Sequence, residues 1–289
     1  MATPQSGLPA RALVVPLDGS ERSAEAARAA ARLAPQIDAA VHLVSVASTQ
    51  GDQEASRRQF DVVSKLVPSA SREVVMTDEH HVGAEEVGRS ILQAATGAGG
   101  VVCMASHGRG RSAGILGSIA TEITARAAHP VAIVGPAFAP KTWRVDAPVV
   151  ACVDGTPPSE LVIPIALEWA GALDVSLSVV TVAEPIPAPL PGRPWRRLHG
   201  PNEDAETYMA RVLECHRSDR VRIDGAVVYD SVSVARGLVD HLALHPASVI
   251  TVATHARRGM PRFVLGSGAA AIVHQAPVPV LAVPLPHEQ

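Results

Sequence analysis

The chain has little with which to hold a nucleic acid or a membrane. Its 289 residues carry 25 Lys and Arg against 28 Asp and Glu, a formal net charge of −3, and only 3% are aromatic. Nucleic-acid binders use a basic field and flat side chains on which bases stack. Neither is present, so no nucleic-acid partner is expected. Long apolar runs are missing too: each is cut by Gly, Pro or charge within about ten residues, short of the roughly twenty that a membrane helix needs, so no membrane partner is expected either. Cys103, Cys152 and Cys215 form an odd set without metal-type spacing, two of them inside predicted strands. Reduced, buried thiols are expected rather than a disulfide framework. Met1 to Ala10 is polar and rich in Pro and Gly, without the positive start and apolar core of a signal peptide. We expect a flexible lead and a soluble, cytoplasmic protein.

What the chain does have is one unit, used twice. Val101 to Met104 is an apolar run bounded by Gly100 and by Ser106, His107 and Gly108, as a buried strand reads. A basic loop with glycines follows, Arg109 to Gly114, and then Gly117 and Ser118 open a helix with Ile119, Ile123, Ala127 and Ala128 on one face. Pro130 starts a second buried run, Val131 to Val134. Free N–H groups and the positive dipole end at such a helix start form a ready anion site. Gly108, Gly110, Gly114 and Gly117 lack a Cβ and tolerate positive φ, so the backbone can approach a phosphate. The alternative is a glycine turn and a capped helix with no ligand.

The second occurrence lies between Val249 and Pro284. Met104–Ala105–Ser106–His107 matches Val252–Ala253–Thr254–His255, Leu116–Gly117–Ser118 matches Leu265–Gly266–Ser267, and His129–Pro130–Val131 is echoed by Ala276–Pro277–Val278. Upstream, Val14 to Ser20 corresponds to Val150 to Thr156, and Leu43 to Ala47 to Val179 to Ala183. Landmarks in one order twice over mean a tandem duplication, and we place the domains at 1–140 and 141–289. Within each, apolar strands alternate with helices: Ala12 to Leu17, Glu21 to Leu33, Val41 to Ala47, Asp52 to Leu66, Arg72 to Met76 and Ala84 to Ala95 precede the repeated unit in the first copy. In the second, the series is Val149 to Val153, Ser159 to Gly171, Val175 to Val182, Glu203 to Cys215, Val221 to Val228, Val232 to Leu244 and Val249 to Ala253. The fold class is therefore α/β, with two doubly wound parallel sheets covered by helices on both faces. Pro136 to Pro148 reads as a Pro-rich hinge, and Pro185 to Pro201, with Arg193, Trp195, Arg196 and Arg197, as a solvated loop.

These residues resemble the universal stress protein family over nearly the whole chain. Nucleotide-binding members carry Gly, two residues, Gly, nine residues, Gly and Ser or Thr after the fourth strand, and an Asp ending the first. Here the first copy has Ala105, Gly108, eight residues and Gly117–Ser118; the second has Ala253, Ala256, nine residues and Gly266–Ser267. The resemblance implies a Rossmann-like fold of the adenine nucleotide alpha hydrolase type. Pro16, Asp18 and Val46 would hold adenine and ribose, with Ala105, His107, Gly108, Gly117, Ser118 and Ile119 around the phosphates. Asp154, Val182, His255, Gly266 and Ser267 are the counterparts in the second copy. It also implies that the last strands, Val131 to Val134 and Val278 to Val283, pair across a pseudo-twofold axis as an intramolecular dimer.

The ligand implied is ATP, with or without Mg²⁺, bound without catalysis and mainly in the first copy, where Gly108 is retained. An Asp before Gly–Ser is also a common helix cap, which is the competing role for Asp18. Matched His107 and His255 lack a nucleophile and orienting group beyond Ser118 or Ser267, so no catalytic residue is assigned, although slow hydrolysis stays open. Adjacent histidines at Asp78–Glu79–His80–His81 diverge, so no metal site is assigned. Arg109, Arg111, Arg257 and Arg258 either pair with phosphate or keep their loops solvated. The other reading is a nucleotide-independent interaction protein with degenerate phosphate loops. The protein partner and a further homodimer stay open.

Overall fold

A computed structural model describes residues 11–77, 83–108, 116–183, 204–230, 232–256 and 263–285. The lead at 1–10, the Asp78–His81 cluster, Arg109 to Gly114, the Pro185–Pro201 loop, Arg257 and Arg258 lie outside them. In the first copy the order is β1 (Ala12–Pro16), α1 (Glu21–Leu33), β2 (Ala40–Ala47), α2 (Gln50–Val63), β3 (Ser71–Met76), α3 (Ala84–Gly97), β4 (Gly100–Ala105), α4 (Ser118–Arg126) and β5 (Val131–Val134). The second runs β6 (Val149–Val153), α5 (Pro157–Glu160), α6 (Val162–Ala172), β7 (Leu177–Ala183), α7 (Ala205–Cys215), β8 (Ile223–Tyr229), α8 (Val234–Leu244), β9 (Val249–Ala256), β10 (Phe263–Val264), α9 (Ser267–Gln275) and β11 (Val280–Pro284).

The strands form one sheet in the order β3-β2-β1-β4-β5-β11-β9-β6-β7-β8, with β10 folded back antiparallel on β9. Every pair along that path is parallel except β5 with β11. Val131, Ala132 and Ile133 face Ala282, Leu281 and Val280 in that central pair. The expected pairing of the two last strands is therefore seen, and the order is symmetrical about it. Prolines sit where a ladder tolerates them: Pro130 and Pro279 just before the two strands, Pro284 as the last residue of β11. In each copy the strand order reverses beside the first strand, between β1 and β4 and between β6 and β9. A doubly wound sheet opens its crevice at the carboxyl ends of such strands.

Three expectations change. The helix expected over Ser159 to Gly171 is broken at Leu161 into α5 and α6. Pro164 has no N–H for the Glu160 carbonyl four residues back, and its ring crowds that oxygen. The fourth strand of the second copy, expected to end at Ala253, runs on to Ala256 because β10 pairs with its end. The connector is not a hinge. Arg32 donates to the carbonyls of Pro140 (2.9 Å) and Trp143 (2.8 Å) and lies 4.6 Å over the Trp143 ring. Trp143 Nε1 donates to Ser248 O at 2.7 Å, Ala139 N to Pro277 O at 2.9 Å, and Phe138 packs edge-on to Trp143. These contacts strap the connector across both copies.

Just after β5 the chain passes so close to α9 that a Cβ on Gly135 would stand 1.8 Å from the Val273 carbonyl oxygen. Backbone cannot yield as a side chain does. Gly135→Ala is expected to cost about 1–3 kcal/mol by overpacking, read as a lower urea midpoint. Gly97→Ala, whose methyl meets nothing within 4 Å, serves as the control and should not lose stability.

Candidate functional site

The site starts from the turn after β1. Gly19 has φ 82°, a conformation glycine adopts without strain, and it lets Asp18 fold back on the helix start. Asp18 Oδ1 accepts from Ser20 N (2.9 Å) and Ser20 Oγ (2.6 Å), while Ser20 Oγ accepts from Ser23 N at 3.1 Å and so caps α1. Asp18 thus takes part in the cap, as its competing role required. It also borders a cavity of about 850 Å³ at the carboxyl ends of β1, β2 and β4.

Among the described residues, those of the first copy assigned to the site from the resemblance come together there. Pro16 and Asp18 arrive from β1 and its turn, Val46 from β2, Ala105, His107 and Gly108 from β4 and beyond, and Gly117, Ser118 and Ile119 from the start of α4. Val46 earns its place through its backbone. Leu17 N donates to Val44 O at 2.8 Å, and Thr77 N to Ala47 O at 2.9 Å, so even-numbered residues of β2 direct their polar groups toward β1 and odd-numbered ones toward β3. The β1–β2 ladder ends at Pro16–Val44. The N–H and C=O of Val46 therefore extend past the end of β1, over the cavity.

At the other end stands an open helix terminus. Helices α1, α2, α7 and α8 have side-chain caps, whereas α4 begins at Gly117 with none. Its first N–H groups, at Ser118, Ile119 and Ala120, border the cavity. Gly117 N donates to Ser106 O at 2.8 Å, which fixes α4 to the turn after β4. Neither Gly108 nor Gly117 has positive φ, so the conformational reason expected for these glycines does not hold. Space is the reason at Gly108: a Cβ there would lie 2.3 Å from Asp18 Oδ2.

His107 is 8% exposed, with Nδ1 3.0 Å from Ser106 Oγ, and its ring meets that of His274 on α9 edge-on at 6.4 Å. A wall of the first copy's cavity thus rests on the second copy. One wall escaped the sequence reading. Asp52, Ala55, Ser56 and Gln59 of α2 line the cavity, and their spacing of three, four and seven is that of one helix face, a legible signal. Ser56 Oγ lies 2.8 Å from Ser45 Oγ, both buried. The hydroxyl of Thr49, then that of Ser48, hold the Asp52 carboxyl below its ordinary value, so it is anionic at neutral pH.

The second copy keeps the turn and changes the loop. Gly155 has φ 82°, and Asp154 Oδ1 accepts from Thr156 N (3.1 Å) and Oγ1 (2.6 Å), but Asp154 is exposed. Val182 is half-buried in β7, with its polar groups toward β6 by the alternation seen in β2. Gly266 begins α9, again without a side-chain cap, and Ser267 follows. His255, however, lies within β9 opposite Val264, where the first copy has already left its strand at Ala105. Among the described residues no group of three or more His, Cys, Asp or Glu is arranged to hold a metal ion.

The model of the universal stress protein family matches residues 9–135 and again 147–284. Universal stress protein Rv2005c of Mycobacterium tuberculosis is 33% identical over 185 residues, 63% of this chain and 60% of that relative's length. Universal stress protein Rv1996 of the same species is 28% identical over 96% of both. Among solved structures, a universal stress protein from Archaeoglobus fulgidus superposes with a TM-score of 0.67 at 14% identity, covering 97% of this chain and 99% of that one. One from Pseudomonas aeruginosa gives 0.54 at 15%, covering 97% and 95%. At these identities the superpositions speak to fold.

The Gly108–Asp18 contact gives a test that needs no ligand. Gly108→Ala should destabilise by about 1–3 kcal/mol, and most of that cost should vanish in an Asp18→Ala background. A double-mutant cycle by chemical denaturation measures the coupling; additive costs would mean the two residues do not touch.

Proposed function

Because the chain belongs to the universal stress protein family as a tandem two-domain member, we propose that it is a non-catalytic stress protein binding ATP, with or without Mg²⁺, in its first copy. One observation carries the reading: a single cavity unites the outward N–H and C=O of Val46, the Asp18 carboxylate and the uncapped start of α4. A base edge with neighbouring acceptor and donor suits Val46, a ribose hydroxyl suits the carboxylate, and phosphates suit the helix start. About 850 Å³ is ample for a nucleotide. Occupancy reaches the second copy through His107 and His274, a route by which ATP alters conformation and the choice of a protein partner in the cytoplasm.

A second reading, a nucleotide-independent interaction protein, is favoured by the second copy, where the equivalent of the turn after β4 remains strand. The two readings meet if only the first copy binds.

Calorimetry should give a dissociation constant for ATP on the order of micromolar, or roughly −8 kcal/mol, with negligible phosphate release. Asp18→Asn keeps an acceptor for Ser20 and removes the charge; it should weaken binding about tenfold or more, while Asp154→Asn leaves binding unchanged. The reverse pattern would move the site to the second copy.

Gly117→Val should abolish ATP binding and leave the circular dichroism spectrum intact. Its Cβ would stand 3.4 Å from Ser106 O and 3.5 Å from His107 Cα, ordinary contacts, so the fold accepts it while its methyls occupy the phosphate approach. Parent-like binding would show that α4 does not hold the phosphates.

A further inference from the structure

A second groove, of about 440 Å³, opens at the opposite pole of the first copy, between the sheet and the carboxyl half of α3. His42 and Glu73 form its polar side: His42 Nε2 lies 3.0 Å from Glu73 Oε2, and Nδ1 lies 2.7 Å from Ser71 Oγ. Both imidazole nitrogens are thereby engaged. The Glu73 carboxylate is not used up: its other oxygen has no hydrogen-bond partner among the described residues. Across the groove stand Ser90 and Gln93, over an apolar wall that includes Ala94 and Gly97. Ser90 is 5% exposed, yet among the described residues its hydroxyl has no partner, and it borders the groove. That hydroxyl is open to the groove and can accept a bond there.

The duplication makes the opening specific to this copy. The buried positions Gly88, Ile91 and Ala95 of α3 have the spacing of Ala235, Leu238 and Leu242 of α8. That match sets Ala94, Gly97 and Ala98 against His241, Leu244 and His245. In the second copy, bulky side chains stand where the first has small ones, and His241 and His245 stack on each other at 4.3 Å.

We propose that this groove binds a small aliphatic ammonium compound. The unshared oxygen of Glu73, the Ser90 hydroxyl and the Gln93 amide oxygen are three acceptors, the number of donors an ammonium carries. No Lys or Arg is among the lining residues to repel it. The carboxylate gives a charge-assisted bond, and the small-residue wall takes a short alkyl body.

The test uses the full chain, isotope-labelled, titrated with n-propylammonium, n-propanol and propionate while backbone amides are followed by NMR. Propylammonium should shift Ser90, Gln93 and Gly97 saturably, and the other two should not. Glu73→Gln should weaken the response about tenfold or more. Gly97→Leu, which copies the second copy's Leu244 and enters open space, should abolish it. If that variant fails to fold, Glu73→Gln, an exposed isosteric change, still decides. No shift, an equal response to propanol or propionate, or a response that survives either variant would overturn the proposal. None of these readouts touches the ATP cavity, so failure here leaves the nucleotide reading standing.

Discussion

The structure depends on the antiparallel pairing of β5 with β11. Each copy winds its sheet outward from its first strand and finishes with an apolar strand whose outer edge is unpaired, a template for aggregation if left in water. The duplication supplies the cover. In the joined sheet Val131 to Val134 and Val280 to Val283 are at most 4% exposed, as no edge strand is. Other features follow from this junction. The chain after β5 must pass α9 at Gly135, the connector is strapped by Arg32 and Trp143, and His274 comes to rest beside His107.

Much of this was legible because it is written in local pattern. Apolar runs between turn residues gave the strands, and Asp18–Gly19–Ser20 gave both the turn and the cap. What escaped depends on contacts distant in sequence. The connector is rich in proline, the composition of a linker, and contacts with Arg32, Ser248 and Pro277, each more than a hundred residues from its partner, strap it down. Likewise Gly108 reads as a conformational glycine until Asp18, from the other side of the switch point, is found against it.

The candidate site divides in the same way. Its β1, β4 and α4 residues sit in motifs with a chemical meaning of their own, so the sequence reached them. The α2 wall was missed because Asp52, Ala55, Ser56 and Gln59 are ordinary helix residues; only their common face, turned toward β2, makes them part of a cavity. The break at Leu161 was readable in principle, since Pro164 denies Glu160 its bond, but apolar periodicity through that stretch masks it.

The two copies also show what duplication permits. In the first, the strand ends at Ala105 and the chain turns to lay Gly108 against Asp18, where a Cβ would stand 2.3 Å from Oδ2. In the second, Ala256 occupies the matched position, the strand continues, and β10 folds back on it and packs against α4 of the first copy. A segment that contributes to a cavity wall in one copy contributes to the junction in the other. One helix start, α4, consequently serves both halves. Its amino end borders the first cavity and the helix also packs against β10 of the second copy.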